Sequence, residues 1–128
     1  MKIKRILFCL CLWPLGVLAN NNEKAAEALL ERLLPDRADQ FIFEEIGSAA
    51  GKDVFELETV DGKVRIRGNS ANSMAVGLNY YLKYYCYTTV SWYADDPVEL
   101  PGVLPVVGEK VRIAAVSYTH LTLPTKLE

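Results

Sequence analysis

Lys52-Asp53-Val54-Phe55-Glu56-Leu57-Glu58-Thr59-Val60-Asp61-Gly62-Lys63-Val64-Arg65-Ile66-Arg67-Gly68 is the stretch on which the fold turns. From Asp53 to Val60, Phe55 and Leu57 alternate with Glu56 and Glu58, the period of a half-buried strand. Asp61-Gly62 is a strong two-residue hairpin signal, because a tight primed turn needs positive φ at both central positions. Lys63 to Arg67 then returns, with Val64 and Ile66 inward and Lys63, Arg65 and Arg67 outward. Glu56 and Glu58 can pair with Arg65 and Arg67 across the strands, each pair adding a few tenths of a kcal/mol to the sheet.

The hairpin is flanked by helical signals. Upstream, Ala26, Leu29, Leu30, Leu33 and Leu34 recur at helical spacing and predict a helix from Glu23 to Leu34, capped by Asn22 and ended by Pro35. Gln40 to Ile46 reads as a strand with Phe41 and Phe43 inward. Downstream, Gly68-Asn69-Ser70 breaks the chain, and Ser70 caps a helix reaching about Tyr85. Met74, Leu78, Tyr81, Leu82 and Tyr85 form its buried stripe. Gly77 lies within it at a cost of about 1 kcal/mol against Ala, which predicts close approach to a sheet. Tyr87 to Trp92 reads as a strand parallel to the one at Lys63–Arg67. A proline-bearing loop from Asp95 to Gly108 leads to a last short strand at Glu109 to Ala114. The expected fold class is α+β: a small mixed β-sheet with two helices packed on it.

The chain has 128 residues, enough for one core, and a formal net charge of −2. Residues 1–19 read as a signal peptide. Lys2, Lys4 and Arg5 form the basic start, Ile6 to Leu18 the apolar run, and Val17-Leu18-Ala19 the cleavage signal before Asn20. Removing those three cations from the 14 basic residues leaves 11 against 16 acidic ones, the opposite of a nucleic-acid footprint. Of three cysteines, Cys9 and Cys11 would leave with the signal, so Cys86 has no internal partner. Secretion without a disulfide framework fits a bacterial periplasm or cell surface. No membrane association is expected after cleavage.

Catalytic chemistry is sparse. His120 is the single histidine, which argues against a Ser-His-Asp or Cys-His arrangement. No CxxC pair or His cluster suggests a metal, and Gly47 to Gly51 lacks the end of a phosphate-binding loop. Glu44 and Glu45 are adjacent on a strand and face opposite sides. Asp95 and Asp96 beside Trp92 and Tyr93 superficially resemble a sugar site but fit a solvated turn before Pro97. We therefore expect no catalytic, cofactor-binding or metal residues. Among the tyrosines, Tyr81 and Tyr85 belong to the core stripe, whereas Tyr80, Tyr84 and Trp92 are the candidates for packing against a neighbouring domain.

Three stretches together resemble the N-terminal domain of the alpha-N-acetylglucosaminidases, glycoside hydrolase family 89. They are Asp53-Val54-Phe55-Glu56-Leu57 with Val64-Arg65-Ile66-Arg67-Gly68; Ser70 to Tyr85, with Gly77-Leu78-Asn79-Tyr80-Tyr81-Leu82; and Val90-Ser91-Trp92 followed by Leu100-Pro101 and Leu104-Pro105. The similarity runs from about Ala25 to Ala115, within a domain placed at residues 20–115. The resemblance implies a noncatalytic α/β domain, like the one preceding the barrel in beta-hexosaminidases. It would be followed in the same chain by a TIM-like barrel carrying two catalytic glutamates, which removes terminal α-linked N-acetylglucosamine from glycans with retention. None of those catalytic positions carries over, so the parent would be the glycoside hydrolase and this piece inactive. The barrel's opening segment is expected just after Ala115. Instead, residues 116–128, with Ser117-Tyr118-Thr119-His120-Leu121-Thr122-Leu123-Pro124-Thr125, have no family counterpart and resemble a translated sequencing-adapter tail. Two alternatives are a stand-alone carbohydrate-binding module and an accessory domain of another exported hexosaminidase.

Overall fold

The computed structural model describes residues 20–90 and 97–116, with side chains of the last strand described as far as Ala114. A four-stranded mixed sheet carries two helices on one face. The elements are helix α1 (Asn21–Leu33), a single 3-10 turn (Ala38–Gln40), strands β1 (Phe41–Glu45), β2 (Lys52–Val60) and β3 (Lys63–Gly68), helix α2 (Ala71–Tyr84) and strand β4 (Val111–Val116). The strand order is β1-β3-β2-β4.

The hairpin forms as its sequence dictates. Asp61 and Gly62 both have positive φ, at 51° and 76°, as a primed turn requires. The antiparallel register sets Glu56 opposite Arg67 and Glu58 opposite Arg65. β1 runs parallel to β3 and β4 antiparallel to β2, so the sheet is mixed. Phe41 and Phe43 of β1, Phe55 and Leu57 of β2, and Val64 and Ile66 of β3 form one core with Ala26, Leu30 and Leu34 from the α1 segment. Met74, Leu78, Tyr81 and Leu82 of α2 complete it. Gly77 faces this sheet: a Cβ there would stand 2.9 Å from Ile66 Cγ2 and 3.2 Å from Phe55 Cδ2.

Four expectations are corrected. α1 starts at Asn21 rather than Glu23, with Asn20 as its cap. The Asn20 N–H donates to Glu23 Oε2 at 3.2 Å. Asn22, expected to cap, instead donates from Nδ2 to Glu45 Oε2 at 3.0 Å, tying α1 to the end of β1. Second, Tyr87–Val90 is not strand. Tyr87 has φ of 54°, and the Thr88 N–H donates to the Leu82 carbonyl, so the chain turns tightly at the end of α2. Residues 91 and 92 lie outside the described residues. Third, the strand that returns after α2 is therefore β4, parallel in direction to β3 but separated from it by β2. Fourth, β4 itself is displaced two residues from the predicted Glu109–Ala114. Ser70 does cap α2, its Oγ accepting from the Ser73 N–H at 3.1 Å.

The loop before β4 is strapped to the core. The Tyr81 hydroxyl donates to the Pro105 carbonyl at 2.7 Å, and the Val107 N–H donates to Thr59 Oγ1 at 2.9 Å. Arg37 Nη2 donates to the Pro101 and Gly102 carbonyls at 3.2 and 3.3 Å. Val107 is buried, and Leu100 and Leu104 pack against the core.

Candidate functional site

Two surfaces offer something to a ligand or partner: the sheet face away from the helices, and the outer side of the helix pair. The sheet face is a ladder of charges. Arg65 Nη2 lies 2.6 Å from Glu58 Oε1 and Arg65 Nη1 3.6 Å from Glu44. Arg67 reaches Glu44 at 3.4 Å and Glu56 at 3.1 Å. Lys110 lies 2.8 Å from Glu56, and Arg112 also bonds to Glu56. The cross-strand pairs were legible from alternation. Burial of Glu56 to 5% exposure was not. Its partners Arg112, on β4, and Lys110, just before it, lie more than fifty residues away in sequence.

Burial works to raise the Glu56 carboxyl. Hydrogen bonds from Lys110 and Arg112, then the charges of Lys110 and Arg67, outweigh it and hold Glu56 below the usual carboxylate range. A general acid for glycosidic cleavage needs the opposite displacement, a carboxyl kept protonated near neutral pH. The ladder is an arrangement for holding strands together.

The aromatics divide by face. Tyr81 is fully buried, edge-on to Phe41 at 5.9 Å, with Tyr85 stacked on it at 5.4 Å. Burial pushes its hydroxyl pKa upward, and it pushes the half-buried Cys86 thiol upward too. Tyr80 leans on Phe55 at 5.4 Å, and Tyr84 lies 4.5 Å from Tyr80 with 54% of its surface exposed. Lys83 Nζ stands 5.2 Å from the centre of the Tyr84 ring. Tyr80 and Tyr84 thus form a rim, while Trp92, the third candidate, lies outside the described residues, as do Asp95, Asp96 and His120.

Between α1 and α2 runs a groove of about 600 Å³, lined by Leu29, Arg32, Leu33, Ala75, Leu82 and Val90, with Leu78 and Asn79 at its floor and edge. Its lining contains no carboxylate. Among the described residues no group of three His, Cys, Asp or Glu is placed to hold a metal ion, and no helix is long and apolar enough to cross a membrane. Helical spacing gave the buried stripes of both helices. It could not reveal the groove, which depends on how the two helices sit together.

The family model for the alpha-N-acetylglucosaminidase (NAGLU) N-terminal domain matches residues 24–106, well over half of the chain. The chain belongs to that family. Among solved structures, it is similar to a family 89 glycoside hydrolase from Clostridium perfringens in complex with 2-acetamido-1,2-dideoxynojirimycin, at 38% identity and a TM-score of 0.68. The same identity and score are found for that enzyme in complex with PUGNAc, and for a double Glu→Gln variant with its substrate GlcNAc-α-1,4-galactose. Each match covers 73% of this chain and 11% of the other, so this N-terminal domain spans about a ninth of those hydrolases. Among curated proteins, none matches the chain. The matched residues hold the hairpin, α2 and the strapped loop, so the family resemblance rests on the core itself.

Proposed function

We propose that this is the noncatalytic accessory domain of an exported alpha-N-acetylglucosaminidase, whose catalytic part belongs to a longer chain. The observation that carries the reading is the 38% identity to a small part, 11%, of a family 89 hydrolase. The chemistry of the domain agrees with it. Its most buried carboxylate is neutralised by three cations, and its groove is lined without an acid. Retaining cleavage of a glycoside needs two carboxyls about 5–5.5 Å apart across the bond. The role left to the domain is mechanical: a folded unit packed beside the barrel, with Tyr80 and Tyr84 at the contact and Trp92 the third candidate. Its partners are then the barrel of the same chain and, through it, a glycan.

The test is enzymatic. The 128-residue chain should give no turnover of an aryl α-N-acetylglucosaminide, while the product of the complete gene should hydrolyse it. Turnover by the short chain, or a complete product inert towards α-linked N-acetylglucosamine, contradicts the reading. The N-terminal sequence from Lys2 to Ala19, with its basic start and apolar run, supports export.

A further inference from the structure

Three of the four strands are rooted in the buried core. Phe41 and Phe43 of β1, Phe55 and Leu57 of β2, and Val64 and Ile66 of β3 all belong to it. β4 contributes no buried side chain among those described: Val111 and Ile113 are half-buried, and Arg112 and Ala114 are exposed. It lies at the edge of the sheet, where β2 is its partner. The core is complete before β4 begins. Val107 is buried with its N–H on Thr59 Oγ1, and Gly108, Glu109 and Lys110 beyond it are exposed.

Two things hold β4. The first is backbone pairing. The Val54 N–H donates to Asn69 Oδ1 and the Val54 carbonyl accepts from the Asn69 N–H, so Val54 turns its backbone groups towards β3. Asp53, Phe55 and Leu57 then turn theirs towards β4, where Ala115, Ile113 and Val111 stand opposite. The second is Glu56. Lys110 Nζ lies 2.8 Å from its carboxylate and Arg112 bonds to it from β4, while Arg67 of β3 stands 3.1 Å away on the other side. The other acids of this face, Glu44 and Glu58, are engaged with Arg65 and Arg67. Both helices lie on the opposite face. Glu56 is thus shared between strands fixed by the core and a strand that is not.

We propose that β4 is a detachable strand latched by Glu56, and that it leaves the sheet as a unit when this carboxylate is neutralised while the rest of the domain stays folded. Elements with few buried contacts open first. When β4 leaves, no part of the buried core is uncovered, and Glu56, Lys110 and Arg112 recover water, which offsets much of the pairing that is lost. Arg67 remains on Glu56, so the carboxylate is not orphaned. The direction of the pH effect follows. Burial works to raise the Glu56 carboxyl, and Lys110 and Arg112, with the charge of Arg67, hold it below the ordinary range. Detaching β4 removes the first two, so protons bind the detached state more tightly and acid favours it. The chain continues from Val116. Release of the six residues of β4 at about 3.3 Å each slackens the connection to whatever follows by about 20 Å. That consequence alone rests on the accessory-domain reading; the latch itself does not.

Residue-resolved amide exchange in the 128-residue chain tests the latch. The amides to compare are Val111, Ile113 and Ala115, which bond to β2, and Arg65 and Arg67, which bond across the hairpin. Near neutral pH the β4 amides should be protected at least about tenfold less than the hairpin amides. As the pH falls, β4 protection should be lost at a higher pH than hairpin protection. Glu56→Gln should lower β4 protection about tenfold at neutral pH, the scale of one charged hydrogen bond, and should flatten its further loss in acid. Arg112→Gln keeps the carboxylate and replaces a half-exposed side chain, so it tests the same clamp if Glu56→Gln does not fold. It should lower β4 protection by a similar factor and keep an acid step through Lys110. A common exchange rate for β4 and hairpin amides, loss of both at one pH, or an acid step undiminished in Glu56→Gln overturns the proposal. So does unchanged β4 protection in Arg112→Gln. The accessory-domain reading is judged separately, by the turnover test.

Discussion

Gly77 shows what a single missing methyl group decides. In the middle of α2 a glycine costs about 1 kcal/mol against alanine, yet a Cβ there would stand 2.9 Å from Ile66 Cγ2 and 3.2 Å from Phe55 Cδ2. Neither neighbour is a flexible tip: both belong to strands of the sheet. Gly77→Ala should therefore lower stability by about 1–3 kcal/mol despite the better propensity, as overpacking does, and thermal melting checks it. Glu56 sets a second residue-scale prediction. Its folded carboxyl titrates below the unfolded one, so the ionised, paired form stabilises the fold. That contribution is complete above the ordinary carboxylate range and is lost as pH falls through the folded value. Glu56→Gln should cost about 1–3 kcal/mol at neutral pH, less than a fully buried pair because Lys110 and Arg112 are half exposed. The difference from the parent chain should vanish in acid. Denaturant titrations across pH that keep the two curves a constant distance apart would refute this.

At the scale of elements, the informative segment is the loop before β4. Its prolines and its exposed Val103 and Val106 give it the composition of a passive connector, yet Arg37, Thr59 and the buried Tyr81 hold it. The Tyr81 hydroxyl belongs to this strap, donating to Pro105 O from the centre of the core. Tyr81→Phe keeps the ring and leaves the Pro105 carbonyl without its donor, a loss of about 1–2 kcal/mol. Amide exchange should localise the effect: Val107, whose N–H bonds to Thr59, should exchange faster, and the hairpin amides should not. The absence of strand at Tyr87–Val90, where one was expected, belongs to this scale too. Thr88, Thr89 and Val90 have strand-like composition, but the positive φ of Tyr87 turns the chain at the end of α2. Local β-propensity yielded to tertiary context there, as it commonly does.

For the whole molecule, α1 begins at Asn21 with Asn20 as its cap, immediately after the proposed cleavage point at Ala19. Under the proposed export the mature chain should therefore begin at Asn20, with the α1 cap intact, and N-terminal sequencing of the processed chain checks it. A mature chain beginning several residues later would remove the Asn20 N–H bond to Glu23 and contradict that boundary. One core unites α1, α2 and three strands.

The sequence by itself determined the hairpin, its turn, both amphipathic helices and the Ser70 cap. Each rests on a period or a dihedral demand that a few consecutive residues state completely. The family resemblance was legible for the same reason, because its motifs lie in those elements. Only the tertiary structure decided that β4 takes the edge beside β2 and brings Lys110 and Arg112 to Glu56. It alone decided that Tyr81 holds the loop, and that α1 and α2 leave a groove between them. These depend on pairs of residues far apart in the chain, and their meeting is set by how the layers pack. No local pattern of side chains encodes that packing.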